Sequence, residues 1–276
     1  MKNIAITLIL LIAGAITYGQ RTINLSNTDS GKSSGHGHSL SVGSGGIQIT
    51  SDANKDKKKK FDVQIGMVDL GFNSLQDKTN YNAPDAQNYL QVNQDQKNSN
   101  LFSLRGGKSI NVNVYPVLLK YNALRTNNQK IIISTGVGIQ SYDFRFNKPI
   151  SYVNNVSPAI IMDTISFSKN KLGFYFLNVP LSVTFKTRLS EKLWGVYGFG
   201  ITGGYRISSW TKQISDERGK DKNHDSFNFQ DFNACVTGEI GLDGYIRLYA
   251  SYQLTNLYKN ALDQHPFSIG VRFLGI

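Results

Sequence analysis

The sequence predicts an all-β protein: an eight-stranded antiparallel up-and-down transmembrane β-barrel, behind an N-terminal signal peptide and a flexible linker. Three observations carry this expectation. From residue 61 onward, apolar and polar residues alternate with a period of two through eight successive segments, as strands with one apolar and one polar face require. The connections between those segments alternate between long and short. Beyond residue 20 no apolar run approaches the roughly 18 residues of a spanning helix. Insertion into a membrane would therefore have to use strands, since only helices and closed barrels satisfy every backbone group in lipid.

The chain opens with Lys2 and an apolar run from Ile4 to Ile16, interrupted by Thr7 and Gly14. The small residues Thr17 and Gly19 precede Gln20. This order of charge, apolar stretch and small residues is that of a cleaved secretory signal, expected over residues 1–19. Residues 20–60 are rich in Ser, Gly, Asn, Asp and Lys and poor in large apolar side chains. They cannot bury enough surface to offset the entropy of ordering, and are expected to be a periplasmic linker. Weak alternation from His38 to Thr50 allows a small hairpin around Gly43-Ser44-Gly45-Gly46. His36 and His38 could ligate a metal, but no Cys or carboxylate cluster completes a site.

Residues 61–276 are expected to form the barrel. In the first strand, 61–73, Val63, Ile65 and Met67 share one phase and Val68, Leu70 and Phe72 the other, so a bulge is expected near Met67-Val68. The second, 101–120, places Ile110, Val112, Val114 and Leu118 outward and Asn111, Asn113 and Tyr115 inward. The third, 130–146, turns Ile131, Ile133, Val137 and Ile139 outward. The fourth, 171–187, does the same with Tyr175, Leu177, Val179, Leu181, Val183 and Phe185. The fifth, 193–210, puts Tyr197, Phe199, Ile201, Tyr205 and Ile207 outside, with glycines 198, 200 and 204 and Arg206 inside. The sixth, 227–243, and the seventh, 244–257, are read as a hairpin closed by Leu242-Asp243-Gly244. That register sets Glu239 opposite Arg247 and Ile240 opposite Ile246, and keeps all apolar residues on one face. The eighth strand, 266–274, turns Phe267, Ile269, Val271 and Phe273 outward.

The connections run to about 27, 9, 24, 5, 13–16, 3 and 8 residues. Short periplasmic turns and longer outer loops are expected of outer-membrane barrels, which puts 74–100, 147–170, 211–226 and 258–265 on the outside. Eight strands leave a lumen that side chains can fill. The inward glycines make room there for Tyr115, Tyr245, Tyr249 and a polar network of Glu239, Arg247, Arg206, Arg272 and Lys186. The lumen is accordingly expected to be plugged.

Several motifs resemble the PorT-like outer-membrane β-barrel proteins of Bacteroidota. They are Val68-Asp69-Leu70-Gly71-Phe72-Asn73, Leu177-Asn178-Val179-Pro180-Leu181, Gly203-Gly204-Tyr205-Arg206-Ile207 and Ser251-Tyr252-Gln253-Leu254-Thr255. The resemblance covers residues 61–276 and implies a Gram-negative cell outer membrane. It supplies no catalytic motif. The end of the chain departs from it, because Phe273 is followed by Leu274-Gly275-Ile276 rather than standing last.

The chemistry-bearing residues are sparse. Cys235 is the single cysteine, so no internal disulfide can form. His265 could in principle meet Ser215 or Ser226 in an outer loop, which keeps a lipid-modifying enzyme as an alternative. No catalytic, cofactor-binding or metal site is otherwise expected. The net charge of +11 owes part of its excess to Lys55-Asp56-Lys57-Lys58-Lys59-Lys60, attracted to anionic head groups or simply solvated. The expected partners are membrane lipids and lipopolysaccharide. An envelope protein could also dock on loops 74–100 and 147–170, and nucleic acid is not expected. A non-enzymatic structural, adhesive or secretion-accessory role follows. A soluble lipocalin-like ligand-binding barrel is a further alternative, and would require the apolar face to point inward.

Overall fold

A computed structural model describes residues 38–43, 46–51, 60–154 and 157–274. The expected signal segment lies outside the described residues, as does the linker apart from 38–43, 46–51 and Lys60. Two short strands there, β1 (His38–Gly43) and β2 (Gly46–Ser51), pair antiparallel with Gly43 facing Gly46. That is the small hairpin anticipated around the glycines.

Eight further strands make the barrel: β3 (Phe61–Asp77), β5 (Ile110–Arg125), β6 (Gln129–Arg145), β9 (Lys169–Arg188), β10 (Trp194–Ser215), β12 (Phe232–Leu242), β13 (Arg247–Gln253) and β14 (Gln264–Leu274). Each pairs antiparallel with the next in the chain. The last pairs with the first, from Gln264 against Asp77 to Leu274 against Met67, so the sheet closes without an edge. This is the predicted eight-stranded up-and-down barrel.

The alternation holds around the ring. Phe199, Ile201, Leu177, Val179, Leu248 and Ile269 are exposed on the outer wall, while Asn111, Asn178, Asn233 and Ser268 are buried in the lumen. On β9 the outward residues run from Tyr175 to Phe185. That is roughly 33 Å along the strand at about 3.3 Å per residue, and roughly 25 Å of height at a tilt of about 40°. Aromatic pairs mark both margins of this belt. Phe185 stacks on Tyr197 with ring centroids 5.3 Å apart near the short turns, and Tyr205 meets Phe232 at 5.1 Å toward the long loops.

Several expectations need correction. The first-strand slip falls at Gly66 (φ +74°) rather than at Met67-Val68. Gly66 and Pro116 drop out of the β3–β5 ladder together, and the β5–β6 register shifts between Val114 and Val117. Pro116 has no N–H to offer the ladder. The parity change turns Leu118 inward, where it packs with Met67 and Tyr115, instead of outward as expected. The β12–β13 register is two residues away from the one predicted. Gly241 faces Arg247, Ile240 faces Leu248 and Glu239 faces Tyr249. A shift of two preserves every face, so alternation alone could not detect it. Gly244 does adopt the left-handed conformation (φ +80°). Tyr245 is exposed in this turn and does not enter the lumen. β10 carries a further bulge between Arg206 and Ser208 and runs on past the rim, pairing there with β11 (Gly219–His224).

The long outer connections fold into a second structure. Residues 101–109, expected to begin the second strand, instead form short 3-10 turns at Ser99–Phe102 and Gly106–Lys108. The short helix α1 (Pro84–Tyr89) leads into β4 (Leu90–Gln91), which lies parallel to β8 (Ala159–Met162); β7 (Ile150–Val153) completes this three-stranded sheet. It caps the outer end of the barrel.

Candidate functional site: lumen and outer cap

The interior divides into three layers along the barrel axis. Nearest the short turns lies a network of charges. Arg272 and Asp69 face each other across β14 and β3, and Arg247 faces Arg272 across β13 and β14. Two opposed guanidinium groups would repel, and the Glu239 carboxylate bridges them while Asp69 holds Arg272 from its other side. Asp69 accepts from Arg272 Nε at 2.7 Å and Nη2 at 2.9 Å, a two-point contact matched to the planar fork. Glu239 accepts from Arg272 Nη1 and Arg247 Nη1, both at 3.2 Å, and from Thr184 Oγ1 at 2.8 Å. Lys186 donates to Asp243 at 2.6 Å, and Arg247 reaches the same carboxylate at 3.4 Å. A cavity of about 40 Å³ remains among these groups, with Lys120, Ser182 and Thr237 on its wall.

The middle layer is uncharged. Asn111, Asn113 and Tyr249 form a closed triangle, with Asn111 Nδ2 on Asn113 at 3.0 Å, Asn113 Nδ2 on Tyr249 at 2.8 Å and the Tyr249 hydroxyl on Asn111 at 3.2 Å. Gln140 Oε1 accepts from both Asn178 and Asn233. Free Cys235 sits beside Tyr142 in the same layer, shielded from solvent.

The third layer, at the outer end, is aromatic. Inward residues of β6 and β9 change there from polar to Tyr142, Phe144, Phe174 and Phe176. Loop residues descend on them: Phe229 meets Phe174 edge-on at 4.6 Å and Tyr258 at 4.9 Å. The Tyr152 and Tyr258 hydroxyls are 3.0 Å apart, and Tyr89 donates to the Phe227 carbonyl at 3.0 Å. Burial holds the phenols of Tyr89, Tyr152 and Tyr258 well above the usual tyrosine range, so they stay neutral donors. Phe227 and Asn228 have left-handed backbones (φ +47° and +66°). That strain persists because the aromatic side chains on either side are buried in the cap.

The geometry therefore unites four of the five network residues: Glu239, Arg247, Arg272 and Lys186. Arg206 lies apart, at the outer rim. It donates to Asp231 at 2.6 Å and to the carbonyls of Gln230 and Phe229, tying the cap to the barrel, and Lys259 binds the other oxygen of Asp231 at 2.8 Å. Sequence reasoning missed Asp69 and Asp243 as members of the lumen network, and missed the aromatic cap. His265, considered as a base, is mostly buried. Its Nδ1 lies 3.0 Å from the Gln253 carbonyl and its Nε2 2.9 Å from Asp263, so both ring nitrogens are engaged away from any serine. Among the described residues, no group of His, Cys, Asp and Glu is placed to hold a metal, and no helix is long and apolar enough to cross a membrane.

These features define a closed antiparallel barrel with a hydrocarbon-compatible outer wall, a polar lumen and a folded cap. No protein family and no curated protein matches the sequence. Among solved structures, the chain is similar to Ail, the attachment invasion locus protein of Yersinia pestis, at 10% identity, covering 76% of this chain and 98% of that one with a TM-score of 0.26. It is also similar to Ail in complex with the heparin analogue sucrose octasulfate, at 11% identity over the same shares with a TM-score of 0.28. Likenesses this distant carry no weight for function, and the fold assignment rests on the closed ring of strands.

Proposed function

We propose that the chain is an integral outer-membrane β-barrel of the PorT-like kind, with a non-enzymatic structural, adhesive or secretion-accessory role. One observation carries this reading: exposed Leu, Ile, Val, Phe and Tyr side chains form a continuous belt around the wall, while Asp, Glu, Arg and Asn face inward. Scattered apolar residues are ordinary on a soluble surface, but a closed belt of this height is not. A soluble lipocalin-like barrel would need the reverse arrangement, an apolar lumen, whereas this lumen holds amides at mid-height and charges toward the short turns. In this reading residues 1–19 direct export and residues 20–60 remain in the periplasm. The cap presents loops 74–100 and 147–170 to lipopolysaccharide or an envelope partner. The charge network and the 40 Å³ cavity support a lumen plugged to solutes.

Fractionation of a Gram-negative host tests the proposal. The protein is expected in outer membranes, resistant to salt and alkaline extraction, with a gel mobility that changes on boiling. Recovery as a soluble periplasmic protein, folded without detergent, would refute it. Solute flux through bilayers holding the purified protein would refute the plug alone.

A further inference from the structure

Where β6, β9, β10 and β11 meet above the apolar belt, the strand register lines up cations. Arg145 faces Lys171, Lys171 faces Lys212, and Lys212 faces Lys222, forming one row across four strands. One step further out, Lys169 and Lys220 flank Ile214. One step inward lie Asp143, Gly173, Trp210 and His224. These side chains point outward, because the alternate positions Asn170, Leu172, Ser209 and Thr211 are buried on the inner face. The three rows hold six Lys or Arg residues and a single carboxylate, Asp143, bound to Lys171 at 2.5 Å. Like charges directly opposed across strands are destabilising, so this row works against the sheet that carries it. Lys222 and Lys171 lie over the Trp210 ring at 5.0 Å and 5.8 Å, and Gly173 leaves room for that indole. Arg145 Nε is shielded from solvent and has no acceptor among the described residues.

The height of this patch identifies its occupant. Lys171 stands four residues beyond Tyr175, the last belt residue on β9. That places it roughly 13 Å further along the strand and about 10 Å higher, at head-group depth. We infer that this wall binds the phosphorylated head group of an outer-leaflet glycolipid, with the acyl chains lying against the belt below it. The inference rests on the outer-membrane reading and names a lipid site within it. A soluble polyanion could meet the same charges, but it has no acyl chains to use the adjoining apolar wall.

The test uses the full-length protein folded in nonionic detergent and three probes: diphosphorylated lipid A, the same lipid A with its phosphates removed, and a heparin hexasaccharide. Each lysine near an anionic lipid surface contributes about a fivefold factor in binding. The triple variant Lys212→Gln/Lys220→Gln/Lys222→Gln should therefore lose on the order of a hundredfold for diphosphorylated lipid A. It should bind the dephosphorylated form as the parent does. A control removing three cations near the short turns, Arg125→Gln/Arg188→Gln/Lys192→Gln, should keep the preference for phosphate. Boiling-dependent gel mobility reports that each variant is folded. Equal binding of the two lipid A forms by the parent, or an unchanged preference in the triple variant, would overturn the inference. Heparin binding lost in the triple variant, with lipid A binding unaffected, would also overturn it in favour of a soluble polysaccharide. Either result in a protein that still needs detergent to fold leaves the membrane reading standing; folding without detergent removes both.

Discussion

Asp69 is fully buried and spends both oxygens on Arg272. A buried pair gains little over an apolar replacement, but breaking it strands a charge. Asp69→Asn should therefore destabilise the barrel by about 3–5 kcal/mol, read from urea unfolding in lipid vesicles. The double variant Asp69→Leu/Arg272→Met should recover much of that loss; a double variant as weak as the single one would contradict the argument. Glycines on opposite faces of the wall give a second contrast, Gly71 and Gly270 lying on the inner face and Gly203 on the outer. Gly270 and Gly71 face each other across β14 and β3, and a Cβ on Gly270 would fall 1.9 Å from the Leu70 carbonyl oxygen. A Cβ on Gly203 would meet nothing. Gly270→Ala is expected to prevent proper closure and Gly203→Ala to leave folding yield intact, both visible as boiling-dependent gel mobility. The inward position of Glu239 and Arg247 was legible from parity alone. Asp69 was not recognised as their partner, because Arg272 lies 203 residues away in the chain.

The cap is the element that sequence reading treated as loop. A signal was present in Leu172-Gly173-Phe174-Tyr175-Phe176-Leu177, where apolar residues occupy both parities. A strand apolar on both faces is covered on both, so something had to lie over Phe174 and Phe176 from inside. What covers them, Phe229 and Tyr258, comes from two other connections. The attachment of that cap has a predicted pH dependence. Hydrogen bonding from Lys259, with the Arg206 guanidinium adding its charge, holds Asp231 below its ordinary value of 3.8. A lowered folded value means the carboxylate stabilises the attachment fully above about pH 4. The contribution is then lost as pH falls through the lowered folded value. Hydrogen exchange at residues 227–231 and 257–262 should accelerate on going from pH 5 to pH 3, beyond the intrinsic change in rate. Protection that stays constant there would show that the ion pairs do not hold the cap. Asp231→Asn should abolish the acid-induced difference.

At the scale of the whole molecule, the outer wall and the lumen answer to different solvents. Leu181 is outward and exposed midway along β9, while Thr202, facing Pro180 one position away, is buried inside. Leu181→Arg should lower folding stability in bilayers by about 2–4 kcal/mol, as an arginine at the membrane midplane does, and by much less near the belt margins. Equal effects of Leu181→Arg and a marginal substitution such as Tyr205→Arg, measured by folding into vesicles, would place the midplane elsewhere.

The sequence by itself determined which face most strand residues take, along with the strand count and the alternation of long and short connections. These are local properties: side chains alternate every two residues, and a membrane demands apolar atoms on one face of every strand. Only the tertiary structure decided the β12–β13 register, the inward turn of Leu118 behind Pro116, the pairing of Asp69 with Arg272 and the descent of Phe229 onto Phe174. Each of these depends on a neighbour supplied by another strand or loop. A register shifted by two residues leaves the hydrophobic pattern unchanged, so the choice falls to side-chain packing and charge pairing in the closed ring.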